Sequence, residues 1–166
     1  MTLEEGKEQF IQSWGTLGSS WGVTRTMAQI HALLLISHEP MSAEEVMEEL
    51  KISRGNANMN LRALIDWGLV HKKLKSGERK EFFMAEKDMG EVVKNIIMQR
   101  KKKELEPMVK VLEEISKVEG EEADAQEFRK VVKDIQLFSH KADSVLDTLI
   151  GAESNWLMST FLNLIK

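Results

Sequence analysis

Six neighbouring side chains, Arg54, Asn56, Asn58, Met59, Asn60 and Arg62, have the clearest chemical use in the sequence. A carboxamide pairs a donor with an acceptor and can match adenine N6 and N7 in the major groove of a duplex. A thioether can pack on the thymine methyl, and a guanidinium forks onto phosphate oxygens. Asn56, Asn58 and Met59 are therefore the expected base-edge contacts. Ser53, Arg54 and Arg62 are expected to position the phosphates. A solvated helix face is the plain alternative, but Asn propagates helix poorly and needs a reason to recur on one.

A second cluster, Lys72, Lys73, Lys75, Arg79 and Lys80, surrounds Ser76-Gly77-Glu78. These cations would follow a phosphate backbone, although exposed strands also carry Lys simply to deter edge pairing. Nothing comparable supports catalysis. His31, His38, His71 and His140 are scattered, there is no cysteine, and no metal-ligand spacing or phosphate-cradling glycine loop is present. The sequence thus points away from an enzyme and implies no cofactor and no metal.

Positioning these groups requires particular elements. Ala57, Leu61, Leu64 and Ile65 recur on one face of a 3.6-residue helix, with Ser53 as its N-cap. The winding places Gly55, Asn56, Met59, Arg62 and Asp66 on the opposite side, with Asn58 and Asn60 on the flanks. Upstream, Ser42-Ala43-Glu44-Glu45 is a capping box that opens a short helix with Val46, Met47 and Leu50 on its apolar side. Lys51-Ile52-Ser53 then makes a helix-turn-helix of the pair. Residues 69–75 and 79–85 around the glycine turn predict a β-hairpin, which completes a winged helix.

Met27-Ala28-Gln29-Ile30-His31-Ala32-Leu33-Leu34-Leu35, Ile52-Ser53-Arg54-Gly55-Asn56, Met59-Asn60-Leu61-Arg62, Ile65-Asp66-Trp67-Gly68-Leu69-Val70 and Gly77-Glu78-Arg79-Lys80-Glu81-Phe82-Phe83 follow one another in that order. Together they resemble the GbsR group of MarR-type bacterial transcriptional regulators, from about Gly6 to Arg100. The resemblance implies a DNA-binding repressor acting as a homodimer on a pseudo-palindromic operator. It also implies a small-molecule effector: a member of the group responds to choline, so Trp14 and Trp21 become candidates for an aromatic pocket between dimerisation helices and winged domain. Lys51 departs from the glycine that such turns often carry. A left-handed Lys there would cost about 1–2 kcal/mol.

The fold class expected is therefore mainly α with a small antiparallel β wing, a winged helix-turn-helix plus long dimerisation helices. Residues 1–22 are read as an N-terminal dimerisation helix, with Phe10, Trp14, Leu17 and Trp21 in register and Gly15 and Gly18 allowing another helix close. Residues 23–87 form the DNA-binding domain, beginning with a helix from Arg25 to Ser37 capped by Thr24. Residues 88–166 form a helical dimerisation and effector region, in which Pro107 predicts a break near 103–106 and 118–123 form a loop. Within it, Phe128, Ile135, Ala142 and Leu149 alternate with Val131, Phe138 and Val145 in a heptad seam made for a partner helix. Trp156, Leu157, Phe161, Leu164 and Ile165 suggest a last amphipathic piece.

The net charge of −4 is unevenly spread: residues 51–83 carry +5 and the remainder −9. A basic module on an acidic body suits a nucleic-acid partner. No secretory signal and no run long enough for a bilayer is apparent, so a cytoplasmic, membrane-free protein is expected. Two other readings stay open: a winged-helix module for protein partners, and an architectural DNA binder without an operator.

Overall fold

In a computed structural model, residues 1–152, 156, 159 and 163 are described. The chain divides into two compact units, Met1–Asp88 and Met89–Lys166. The first holds α1 (Leu3–Ser20), α2 (Arg25–Ile36), β1 (Met41–Ser42), α3 (Ala43–Leu50), α4 (Arg54–Asp66), β2 (Val70–Lys73) and β3 (Phe82–Ala85). The second holds α5 (Met89–Arg100), a π-helical turn (Lys101–Leu105), α6 (Glu106–Ile115) and α7 (Ala123–Gly151). The winged helix expected from the sequence is present, embedded in a mainly helical chain.

Local chemistry sets the helix starts. Thr2, Thr24, Ser42 and Ser53 each accept a first-turn N–H, and Glu5 and Glu45 complete capping boxes by accepting from the cap N–H. Those bonds hold the Glu45 carboxyl below its ordinary range. Gly15 and Gly18 let α1 lie tightly on α2 of the same chain. A Cβ on Gly18 would fall 2.4 Å from Ala28 Cβ, and one on Gly15 would fall 2.7 Å from Gln29 Cγ. The close approach is thus met within the chain.

The core of the first unit forms where α2, α3 and α4 meet the sheet. Ile30, Leu34, Val46, Leu61, Leu64 and Val70 are essentially sealed from solvent, and Phe82 and Phe83 of β3 are buried too. The sheet has three strands in the order β1-β3-β2, one more than the expected hairpin. β1 is only two residues long, pairing Met41 with Phe83 and Ser42 with Phe82, and no two-residue strand has a readable period. The hairpin strands are also shorter than expected, pairing from Val70↔Ala85 to Lys73↔Phe82. Lys87, following β3, donates from Nζ to the carbonyls of Leu34, Leu35 and Ser37 and so caps the C-terminus of α2.

In the second unit the break foreseen at Pro107 takes the form of the π-helical turn immediately before it. Lys101 from that turn is clamped by Asp143, 3.2 Å away, and Asp147 of α7. Arg100 is bound to Glu104. Val132 and Ser139 are the buried residues of α7. Phe128, Val131, Ile135, Phe138 and Val145 are exposed, Phe138 by 73%. The expected seam is therefore an uncovered apolar stripe on this single chain. Leu157, Phe161, Leu164 and Ile165 lie outside the described residues.

Candidate nucleic-acid interface

The candidate surface is built from the helix-turn-helix α3–α4 and the hairpin that follows. α3 ends on Lys51 at φ 53°, ψ 45°, the one non-glycine residue with positive φ among the described residues. The left-handed Lys that the turn implied is thus present, and Ile52 N–H closes the turn onto Met47 O at 3.1 Å. Ser53 then caps α4 by accepting from Asn56 N–H at 3.3 Å. α4 ends in a Schellman motif: Gly68 N–H donates to Ile65 O and Leu69 N–H to Leu64 O, with Gly68 at φ 70°. That reversal feeds the chain into β2. At the wing tip, Glu78 N–H bonds Lys75 O across a turn with Gly77 at φ 83°.

On α4, Ser53, Arg54, Gly55, Asn58, Met59, Arg62 and Asp66 are exposed, and Met59 is 62% accessible. The exposed Met59 thioether is flexible and open to an apolar contact. Arg54 Nη1 lies 3.5 Å from Glu44, which steers it along the turn. Arg62 has no ion-pair partner among the described residues.

The surface amide face is the one point on α4 where the sequence expectation fails. Asn60 is not on a flank: it is buried in the core beside Ala57, Leu61 and Leu64. It follows Ala57 by three positions and precedes Leu64 by four, which places it inside the apolar stripe. The burial is tolerated because its polar atoms are paired. Thr24 Oγ1 donates to Asn60 Oδ1 at 3.1 Å, and Asn60 Nδ2 donates to Asn56 O at 2.8 Å and to Asn56 Oδ1 at 2.7 Å. Asn56 is accordingly half-buried, at the border of the helix face, and not opposite the core. Sequence reasoning named Asn56 and missed the residue that holds it.

On the wing, Lys72 pairs with Glu81, and Lys75 Nζ sits 4.2 Å above the Phe82 ring. Lys73, Arg79 and Lys80 are exposed and make no ion pair among the described residues. At the base of the hairpin, His71 Nε2 lies 3.0 Å from Glu86. The Glu86 carboxyl is held below its usual range, first by the Asp88 N–H and then by His71.

Trp14 stacks obliquely on Phe10, with centroids 5.4 Å apart, and its Nε1–H donates to His31 Nδ1 at 3.4 Å. Trp21, at the C-cap of α1, is 51% exposed and makes no ring contact among the described residues. Ring contacts therefore do not join the two indoles. A surface depression between α1, α2 and the α3 turn, lined by Ile11, Gln29, Leu33 and Leu50 among others, contains neither of them. Burial, then the charge of Lys87, pushes His31 down to about 4, and its Nε2 is buried without a partner among the described residues. Among the described residues, no cluster of His, Asp and Glu could hold a metal, and no helix is long and apolar enough to cross a membrane.

Residues 21–80, which run from the end of α1 to the tip of the wing, match the sequence profile of the MarR family. This segment is similar to MarR-family domains. Over 112 residues the chain is 27% identical to the HTH-type transcriptional repressor GbsR of Bacillus subtilis (strain 168). The match covers 68% of this chain and 62% of that repressor, so the chain spans less than two thirds of its relative's length. A crystal structure of a transcriptional regulator shares the fold, with a TM-score of 0.68 at 21% identity over 88% of this chain and 96% of that one. The MarR-family match therefore encloses α2, α3, α4 and β2, and with them the candidate contacts from Ser53 to Lys80.

Proposed function

We propose that the chain is a sequence-specific, DNA-binding transcriptional regulator that acts as a homodimer, with α4 in the major groove and the β2–β3 wing along the adjacent backbone. The observation that carries this reading is the free face of α4, where Asn58, Met59 and Arg62 stand exposed on a helix firmly capped at both ends. Rigid presentation of base-contacting groups is what sequence readout needs. The wing adds Lys73, Lys75, Arg79 and Lys80 as cations that form no ion pair among the described residues.

Dimerisation follows from the apolar stripe of α7, which one chain leaves in water. Two-fold symmetry would then call for a pseudo-palindromic site with half-site centres about 34–36 Å apart. Repression, and its relief by a small ligand acting through Trp14 and Trp21, is proposed on the resemblance to the GbsR group; choline titrated into the DNA complex tests the ligand.

Salt dependence tests the reading as a whole. Arg62, Lys73, Lys75, Arg79 and Lys80 from two protomers, each displacing one counterion, give a slope of log K against log salt of roughly −9. A slope near zero would point to a protein partner. Equal affinity for unrelated duplexes would point to an architectural binder.

A further inference from the structure

We propose that Asn60 is a buried positioning residue that fixes the polarity of Asn56, so that Asn56 reads a hydrogen-bond acceptor on its base and does not accept from an amino group. The inference rests on the reading of α4 as a groove helix and assigns what that helix recognises.

A chain of hydrogen bonds runs from Met27 N–H through Thr24 and Asn60 to the Asn56 carbonyl, a group that can only accept. At one end Met27 N–H donates to Thr24 Oγ1, and the Thr24 hydroxyl donates onward to Asn60 Oδ1. At the other end the Asn56 carbonyl can only accept, so the Asn60 atom 2.8 Å from it must be Nδ2. The carbonyl alone selects the orientation of the Asn60 amide, and the Thr24 bond agrees with it. Its second Nδ2–H then requires an acceptor on the Asn56 side chain, 2.7 Å away, and that atom is Oδ1.

Reversing Asn56 would set two amino groups against each other. Reversing Asn60 would set its Oδ1 against the Asn56 carbonyl. Either change leaves a buried polar group unpaired, which a core does not tolerate cheaply. Asn56 Nδ2, by contrast, has no partner among the described residues and is not sealed off. The Asn56 amide therefore turns its oxygen toward Asn60 and its donors outward.

Outward donors restrict the base. Purine N7, guanine O6 and thymine O4 accept in the major groove, whereas cytosine N4 and adenine N6 donate. Asn56 matches the first set. The bidentate adenine contact open to a free asparagine is given up, because the oxygen it would use is turned toward the buried Asn60. Thr24, the N-cap of α2, becomes part of the specificity apparatus at one remove.

The test uses the full chain as wild type, Asn56→Ala and Asn60→Leu. Preferred duplexes are selected from a randomised pool with the wild type, and the base pair whose preference disappears in Asn56→Ala is identified. Anisotropy titrations then compare duplexes with one atom altered at that pair: 7-deazapurine to delete N7, 5-methyl-2-pyrimidinone to delete thymine O4, and purine or 2-pyrimidinone to delete an exocyclic amine. The wild type is expected to lose about five- to tenfold on deletion of an acceptor and less than about twofold on deletion of an amine. Asn60→Leu is expected to lose that discrimination at this pair alone, with its salt slope unchanged.

Discrimination retained in a folded Asn60→Leu overturns the positioning role. Loss confined to amine deletion in the wild type overturns the assigned polarity, and this arm stands even if Asn60→Leu does not fold. If Asn56→Ala erases no preference, Asn56 contacts no base and the inference falls together with that part of the groove reading, an outcome distinct from the other two.

Discussion

Moving the protein from about pH 7.5 to about pH 5 should remove roughly 2 kcal/mol of folding stability through His31 alone. His31 is buried on α2, and its folded-state pKa is lowered from 6.5 to about 4. Desolvation of the imidazolium is the main cause and the Lys87 charge the second. A geometric reason points the same way: Trp14 Nε1–H donates to Nδ1, so protonating that nitrogen would bring two N–H groups face to face. The sign follows directly. Above the unfolded pKa of 6.5 the imidazole is neutral in both states and its contribution is complete; as pH falls, the unfolded chain takes a proton that the folded chain refuses. The full difference is about 3 kcal/mol at about 1.4 kcal/mol per pH unit, of which roughly two thirds is lost by pH 5. Urea unfolding followed by tryptophan fluorescence at the two pH values, on wild type and His31→Gln at equal concentration, isolates the term. The variant should lose about 2 kcal/mol less than the wild type over the same interval. Parallel losses in the two proteins would refute the assignment of a neutral, buried His31.

Other outcomes follow from the backbone and the surface. Gly18→Ala should cost about 1–3 kcal/mol by thermal unfolding, because the new methyl would meet Ala28 and Val23. Gly55→Ala, in open space on α4, should instead gain about 0.5–1 kcal/mol of helix stability. Lys51→Gly should stabilise by up to about 1 kcal/mol in a chemical melt, by relieving the left-handed strain. Phe138→Glu should shift the protein from dimer to monomer in sedimentation velocity; an unchanged species would place the dimer contact elsewhere. Lys73→Ala should weaken binding to all duplexes alike, by a few-fold at moderate salt, and reduce the salt slope by about one per protomer.

Much of this architecture was legible because local chemistry and periodicity agree. Ser42, Ser53 and Thr24 announce helix starts by side-chain type, Gly77 marks the hairpin turn, and Lys51 could be read as strained because the turn geometry demands positive φ. β1 was not legible, since pairing of Met41 and Ser42 with β3 is decided by the tertiary placement of Phe82 and Phe83. Asn60 was misplaced for a related reason. Polarity suggested the surface, while its spacing from Ala57 and Leu64 put it in the core, and only the positions of Thr24 and Asn56 show how a buried amide is satisfied there. The wing cations were legible as a group. Which of them is neutralised, Lys72 on Glu81, and which is only steered, Lys75 over Phe82, depends on strand register that composition does not encode.

The central claim, that α4 reads a DNA sequence, is tested most directly by anisotropy titrations of the wild type and Asn58→Ala. The probes are the duplex upstream of the chain's own gene and a shuffled duplex of equal composition. Binding of the first at least about a hundredfold tighter than the second at moderate salt, with the margin reduced about tenfold in Asn58→Ala, is the result expected. Equal binding of both duplexes by the folded wild-type protein would contradict it.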